Sequence, residues 1–184
     1  MRTPFKTVLF LIALSASCLF VGVTRAETHV ATMRSGLFDL KRYPQARRII
    51  DNVRGRDFPS LGSNYEVMSP TTGKGYNCIA WSLGITNRWV WPGDSLAAFD
   101  RLNKQHGYRR LPKLDLSLKR GVDKIVLYGQ NNNGQFRATH QSRQMSDGNW
   151  SSKLGQMPLI RHRGPSALSG SSYGQPMYVY VRNR

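Results

Sequence analysis

The spacing of the apolar residues changes once along this chain, near Asp123, and this change restricts the fold more than any other feature. Before Asp123, apolar residues recur at the spacing of a helix in three short segments. After it, they fall in short runs that are divided by turn residues. No internal repeat or heptad array is present, which excludes solenoids and coiled coils. Helices followed by an antiparallel meander indicate an α+β fold.

Capping and turn residues give the bounds of these elements. Pro44 suits the first turn of one helix, and Asn77 and Asp94 suit the caps of two others. The predicted helices are 44–54, 78–83 and the segment from Asp94 to near Gly107, with a loop over 55–75. The predicted strands are 124–128, 135–144, 149–154 and 176–181, with turns at 131–134 and 147–148. All four strands therefore lie after the helices.

The N-terminal 26 residues have the pattern of a secretory signal peptide. Arg2 and Lys6 precede an apolar run over 8–23, and the small residues Thr24 and Ala26 suit a cleavage site after Ala26. The pattern predicts a periplasmic or secreted protein with no stable membrane span after cleavage.

Two alternatives to cleavage remain. One is an uncleaved membrane anchor, although the run is shorter than the roughly 20 residues that a spanning helix needs. The other is lipidation at Cys18, although Ser15 stands where lipidation signals usually have a large aliphatic residue. With cleavage, the predicted organisation is a signal peptide over 1–26, an extension with a short helix over 27–61, and a domain over 62–184.

The charge balance predicts an anionic partner. Lys and Arg number 27 against 10 Asp and Glu, a formal charge of +17, which becomes +14 once the signal peptide is removed. Such a surface is attracted to an anionic envelope polymer. Export and the absence of a recognition motif do not favour nucleic acid. No phosphate-binding glycine motif and no Cys/His cluster is present, so we expect no cofactor and no metal.

Cys78 is the one thiol that remains after removal of Cys18, which excludes an internal disulfide. A position at a helix start and a nearby imidazole both lower a thiol pKa, and the thiolate is the nucleophile. His140, in a predicted strand, is the candidate base, and Ser152 or His162 is the candidate third group. The alternatives are a buried structural thiol and, for His162, a basic surface loop.

Three motifs together resemble a known superfamily. Asn-Cys-Ile-Ala-Trp-Ser-Leu-Gly stands at 77–84, His140 follows in a strand, and Trp-Ser-Ser-Lys-Leu-Gly stands at 150–155. Over residues 62–182 this order resembles the papain-like cysteine hydrolases. It is most similar to bacterial cell-wall peptidases and CHAP-type amidases, within a bacterial branch that combines these motifs. The resemblance implies a papain-like α+β fold in which N-terminal helices, among them the cysteine helix, pack on a small antiparallel sheet.

The resemblance also implies a role for each site residue. Cys78 becomes the nucleophile, His140 the base, and Ser152 takes the third position, where those peptidases commonly have His or Asn. The sequence lacks their Asp-Cys-Ser pattern. The predicted function is an exported cysteine hydrolase that cleaves an amide or peptide bond in a peptide or peptidoglycan-like substrate. The alternatives are a non-catalytic basic envelope-binding domain that kept the fold, and a secreted toxin or effector.

Overall fold

A computed structural model describes residues 38–70 and 73–184. The predicted signal peptide and the start of the predicted extension lie outside the described residues. Within the described ranges, no helix is long and apolar enough to cross a membrane.

The described residues form three α-helices, two short 3₁₀ helices and seven strands. The α-helices are α1 (Pro44–Asp57), α2 (Cys78–Ser82) and α3 (Leu96–Gln105). The 3₁₀ helices are Pro59–Leu61 and Pro165–Leu168. The strands are β1 (Tyr65–Val67), β2 (Arg109–Arg110), β3 (Val122–Asn132), β4 (Gln135–Gln144), β5 (Trp150–Lys153), β6 (Leu159–His162) and β7 (Gln175–Asn183).

All seven strands join one antiparallel sheet in the order β1-β6-β5-β4-β3-β7-β2. Its centre is the β3–β4 hairpin, whose turn residues Asn133 and Gly134 have φ angles of 51° and 80°. Asn and Gly tolerate these positive angles, and such turns match the twist of the two strands. The predicted turn lies at this place, but the strands run closer to its tip than expected.

The prediction of a papain-like α+β fold with a small sheet is wrong. A seven-stranded sheet dominates the molecule, and the described part of the chain holds only three α-helices. Three short strands that the sequence did not predict account for the difference. Tyr65–Val67 is buried along its whole length, Arg109–Arg110 is exposed, and Leu159–His162 includes an arginine. Such short segments become strands because their neighbours pair with them, which local propensity does not reveal.

Each face of the sheet carries its own core. The face that packs on α1, here called the α1 face, includes Ala46, Ile50, Phe58, Tyr65, Val126, Tyr128, Trp150, Ile160 and Val179. The face that packs on α2 and α3, here called the α2 face, includes Cys78, Ile79, Phe99, Ile125, Leu127, Ala138 and Tyr180. The helix of the predicted extension therefore packs into the same core as the sheet.

A gap in the pairing between β4 and β5 positions the start of α2. Among the described residues, β5 pairs with β4 only through Ser151 opposite Arg143 and Trp150 opposite Gln144. Beyond these two pairs no ladder between β4 and β5 is formed among the described residues, although the Ser142 and Ser152 side chains still touch, and α2 contacts both strands. We call this unpaired stretch of β4 and β5 the β4–β5 wedge.

Candidate functional site

Asn77 fixes the start of α2, as the sequence predicted. Its side-chain oxygen accepts a hydrogen bond from the Ala80 N–H at 3.1 Å, the usual contact of a helix cap. The same side chain binds the backbone of Val90, accepting from its N–H at 3.2 Å and donating to its carbonyl at 2.8 Å. One residue therefore ties the cysteine helix to the loop that precedes α3.

Cys78 lies at the wedge. The backbone N–H of Gln141 on β4 donates a hydrogen bond to its thiol, and so do backbone N–H groups at the start of α2. One edge of β4 is paired with β3. The Gln141 amide that donates to the sulfur therefore points from the opposite edge, into the wedge. Only 6% of Cys78 is exposed. Burial raises the pKa of the thiol to about 11, although these amides and Lys153 oppose the rise. The helix start therefore does not produce the lowered pKa that the sequence predicted.

Lys153, in the Ser-Lys-Leu-Gly motif, is buried beside the candidate site. It is 1% exposed, and its ammonium group donates to the carbonyls of Gly155 and Met157 at 2.7 and 2.5 Å. Burial lowers its pKa to about 8, while Cys78 acts in the opposite direction. A buried cation thus stands near the thiol. The Ser-Lys-Leu-Gly motif was the signal that marked it.

His140 points to the α1 face. It stands directly opposite Tyr128 on β3, and residues opposite each other share a face. Its ring stacks on Tyr173 at 4.0 Å between centroids and meets the edge of Tyr128 at 5.2 Å. The residue is fully buried, and neither ring nitrogen has a hydrogen-bond partner within the described part of the chain. Burial, and then the proximity of His162, lower its pKa well below the usual value, so the imidazole is neutral.

His162 and Ser152 lie together on the same face as His140. Because a carbonyl only accepts, the His162 Nδ1–H donates to the Gly164 oxygen at 2.9 Å, and Nε2 accepts from the Ser152 hydroxyl at 2.9 Å. Burial lowers the pKa of His162 to about 4. The surface loop considered for His162 is wrong, since the residue is fully buried in β6.

The bonds of His162 continue into a chain of hydroxyl groups. The chain runs in order through the Gly164 carbonyl, His162, Ser152, Ser142, the Tyr128 hydroxyl and the Pro165 carbonyl. Both ends only accept hydrogen bonds, so with a neutral His162 five contacts share four protons. A proton on His162 would complete the chain, and burial opposes that proton.

The structure brings three of the four predicted site residues together and leaves Cys78 at the wedge. His140, Ser152 and His162 share the α1 face, and no hydrogen bond joins either ring nitrogen of His140 to the thiol among the residues described. One residue interacts with both groups. Tyr173, which stacks on His140, has its pKa raised well above the usual value by burial and then by Cys78.

Two tryptophans are exposed on the loop that Asn77 holds. Trp89 and Trp91 are each 49% exposed. Their indole N–H groups donate to the Lys74 carbonyl and to Asp94, which fixes the ring planes. Flat aromatic surfaces thus stand beside the cysteine helix. In the parts of the chain that the structure describes, no group of three metal-binding side chains occurs.

Residues 66–181 match the model of a family described as Domain of unknown function (DUF7689). The chain belongs to this family. The DUF7689 match includes Cys78, His140, Ser152, Lys153 and His162, and it begins after α1. No curated protein and no solved structure matches the chain.

Proposed function

We propose that this protein is an exported cysteine hydrolase that cleaves an amide or peptide bond, with Cys78 as nucleophile and His140 as general base. The observation that supports the proposal is the imidazole of His140, fully buried with both nitrogens unpaired, next in the chain to the residue whose amide holds the thiol. A buried polar group without a partner lowers the stability of the fold by about 1–3 kcal/mol, and a purely structural role gives no reason to retain such a group.

The reaction starts from a neutral pair. Burial favours the protonated thiol and the neutral imidazole, so the proton passes from Cys78 to His140 as the sulfur attacks the carbonyl carbon. This step requires the His140 ring, which packs on the α1 face, to reach the thiol through the unpaired stretch of β4 and β5. The leaving amine then takes the proton from His140, and water hydrolyses the thioester, which restores the thiol.

Hydrogen-bond donors and a positive charge surround the sulfur, where negative charge develops during the reaction. The Gln141 amide and the amides at the start of α2 point at the thiol, and the Lys153 ammonium is close enough to lower its pKa. Such fixed donors stabilise negative charge more strongly in a buried site than in water. Ser152 and His162 are the two candidates for positioning His140, because both lie on its face of the sheet, although neither bonds to its ring nitrogens in this structure.

The surroundings of Cys78 support a peptide or peptidoglycan-like substrate. Trp89 and Trp91 offer exposed ring faces on the loop tied to Asn77, and such faces pack against sugars and apolar side chains. A secreted toxin or effector would use the same residues on a different target.

The deep burial of Cys78 favours a second candidate. A thiol with a pKa of about 11 on a strongly basic chain is also what a non-catalytic envelope-binding domain would have. The two candidates differ in whether Cys78 and His140 are needed for turnover.

Two substitutions test the hydrolase, with purified peptidoglycan and a fluorogenic peptide as substrates. Cys78→Ala removes the nucleophile and should abolish turnover. His140→Phe keeps an aromatic ring against Tyr173 and removes both unpaired nitrogens, so turnover should fall about 10²- to 10⁴-fold while the free energy of unfolding rises by about 1–3 kcal/mol. His106→Phe, at the end of α3, is the matched control and should retain turnover.

Wild-type turnover that both Cys78→Ala and His140→Phe retain would contradict the proposal. A chain without turnover on either substrate, whose thiol reacts with iodoacetamide only after denaturation, would favour the envelope-binding candidate. The hydrolase instead predicts labelling of the folded protein, slow at neutral pH and faster as the pH approaches the thiol pKa of about 11.

A further inference from the structure

A cavity on the α2 face, separate from Cys78, has a concentration of arginine. Its volume is about 380 Å³, and it opens at the end of α2. The lining residues are Ser82, Leu83, Gly84, Tyr108, Asp123, Arg143, Gln144, Met145, Ser146, Arg182 and Arg184. We call it the arginine pocket. Three of its residues carry positive charge and one carries negative charge.

Aromatic rings hold two of the arginines in place. The guanidinium of Arg143 lies 4.5 Å from the centre of the Trp81 ring, and that of Arg182 lies 4.5 Å from the centre of the Tyr108 ring. Stacking of this kind uses the face of the guanidinium and leaves the N–H groups at its edge for an anion. The Trp81 indole N–H donates to Ser151 at 3.1 Å, which anchors the platform under Arg143.

The charges in the pocket do not balance. Arg182 and Arg184 both bind Asp123, at 2.9 and 2.6 Å, and so share one carboxylate. Arg143 forms no ion pair with any carboxylate of residues 38–70 and 73–184. Two positive charges are thus left over.

All these charges act on Tyr108, which is 2% exposed at the pocket wall. Burial raises the pKa of Tyr108, and the charges that modify it are Arg182, Asp123, Arg143 and Arg184. The four side chains therefore converge on one place.

The end of α2 does not repel an anion from this pocket. The Leu83 N–H binds the carbonyls of Ile79 and Ala80, at 3.3 and 3.1 Å, and the Gly84 N–H binds that of Trp81 at 3.0 Å. Carbonyls that are already paired carry less of the negative potential usual at a helix end.

We propose that the arginine pocket binds a phosphoryl or carboxylate group of an acidic polymer. The net charge of +2 around the cavity, and the guanidinium of Arg143 held flat on Trp81 without an ion pair, match the charge and the planar recognition that such groups require. The proposal gives a location to the anionic partner that the net charge predicted. It does not depend on hydrolysis, because the pocket lies at the end of α2 opposite to Cys78.

Binding of three probes to the Cys78→Ala chain tests the proposal. Inorganic phosphate and polyphosphate report on phosphoryl recognition, and poly-glutamate reports on carboxylate recognition. Arg143→Gln and Arg182→Gln should each weaken the preferred polymer about tenfold at constant salt. Arg137→Gln is the matched control, since it removes the same charge from the same strand as Arg143 at a residue paired with Asp94. It should weaken binding less than twofold.

Equal weakening by the three glutamine variants would overturn the proposal, because a general basic surface would then explain the binding. Failure of the parent chain to bind any probe would overturn it as well. Arg143→Lys keeps the charge and loses the planar donor group, so it should bind more weakly than the parent even if Arg182→Gln does not fold. Binding equal to that of the parent would contradict the predicted arrangement.

Discussion

On the α1 face, hydrogen bonds link four side chains in a row from His162 to Tyr128. His140, which lies on the same strand as Ser142, forms no side-chain hydrogen bond with any described residue. On the α2 face, Ser82 donates to Gln141 at 2.8 Å, and Gln141 donates to Asn103 at 3.3 Å. Each face thus contains hydrogen bonds between polar groups of its own core. Other buried polar atoms also lack a partner, among them Asn103 Nδ2 and Ser169 Oγ, but His140 has both ring nitrogens unpaired, and so we propose for it a role in function rather than in stability.

The surroundings of the thiol and of the two histidines also differ. The buried cation Lys153 stands near Cys78 at the wedge, and the two buried histidines on the α1 face are neutral. Substitutions that affect one face and leave the other intact therefore test whether the thiol depends on both.

The largest expected effects come from matched cavities in the two cores. Phe99→Ala on the α2 face and Phe58→Ala on the α1 face each remove a fully buried ring, and each should cost about 3–5 kcal/mol of unfolding free energy in urea titrations. Only Phe99 shares a core with Cys78, so only Phe99→Ala should speed iodoacetamide labelling under native conditions. Equal acceleration by both variants would show that the thiol is reached by general opening rather than from the α2 face.

Acid should destabilise the protein through its buried histidines. The pKa of His162 is about 4 when folded and near 6.5 when unfolded, so below pH 6.5 the unfolded chain binds more protons. Stability is complete above about pH 6.5 and falls as the pH decreases toward 4, by about 3 kcal/mol for His162 alone. His140 adds a loss of the same sign. Urea midpoints between pH 7 and 4 measure this loss, and a flat profile would contradict the buried neutral state.

His162→Phe should cost about 2 kcal/mol, because it leaves the Ser152 hydroxyl and the Gly164 carbonyl buried without their partner. This loss is opposite in sign to the gain expected for His140→Phe. The variant should also show a smaller decrease in stability with acid than the wild type. A loss of stability in His162→Phe together with a gain in His140→Phe would confirm that one histidine is paired and the other is not. A stabilised His162→Phe would contradict this difference.

Local signals predicted much of the secondary structure. Pro44 begins α1, Asn77 caps α2, and β4 occupies the predicted residues 135–144. The prediction failed where a partner defines the element. Tyr65–Val67 and Leu159–His162 pair with each other at the edge of the sheet; the first is too short to give a pattern, and the second does not alternate between polar and apolar residues. At α3 the cap moved by one residue, because Ser95 rather than Asp94 accepts the hydrogen bond from Ala98.

The candidate site was predicted by residue type and missed in its arrangement. The motifs singled out Cys78, His140, Ser152 and His162, and the last three lie in one buried cluster. The motif around Ser152 also held Lys153, but only its position near the thiol shows that it belongs to the site. The arginine pocket had no signal of its own, since Tyr108, Arg143 and Arg182 are distant in sequence.

The amino-acid sequence by itself determined the net charge, the single thiol after residue 26, the capping residues and the turn that begins β4, because these depend on residues within a few positions of each other. The tertiary structure alone decided which face of the sheet each side chain occupies, and it buried Lys153 and His162. A strand alternates its side chains, so strand register sets every contact, and a shift of one residue would move His140 to the other face.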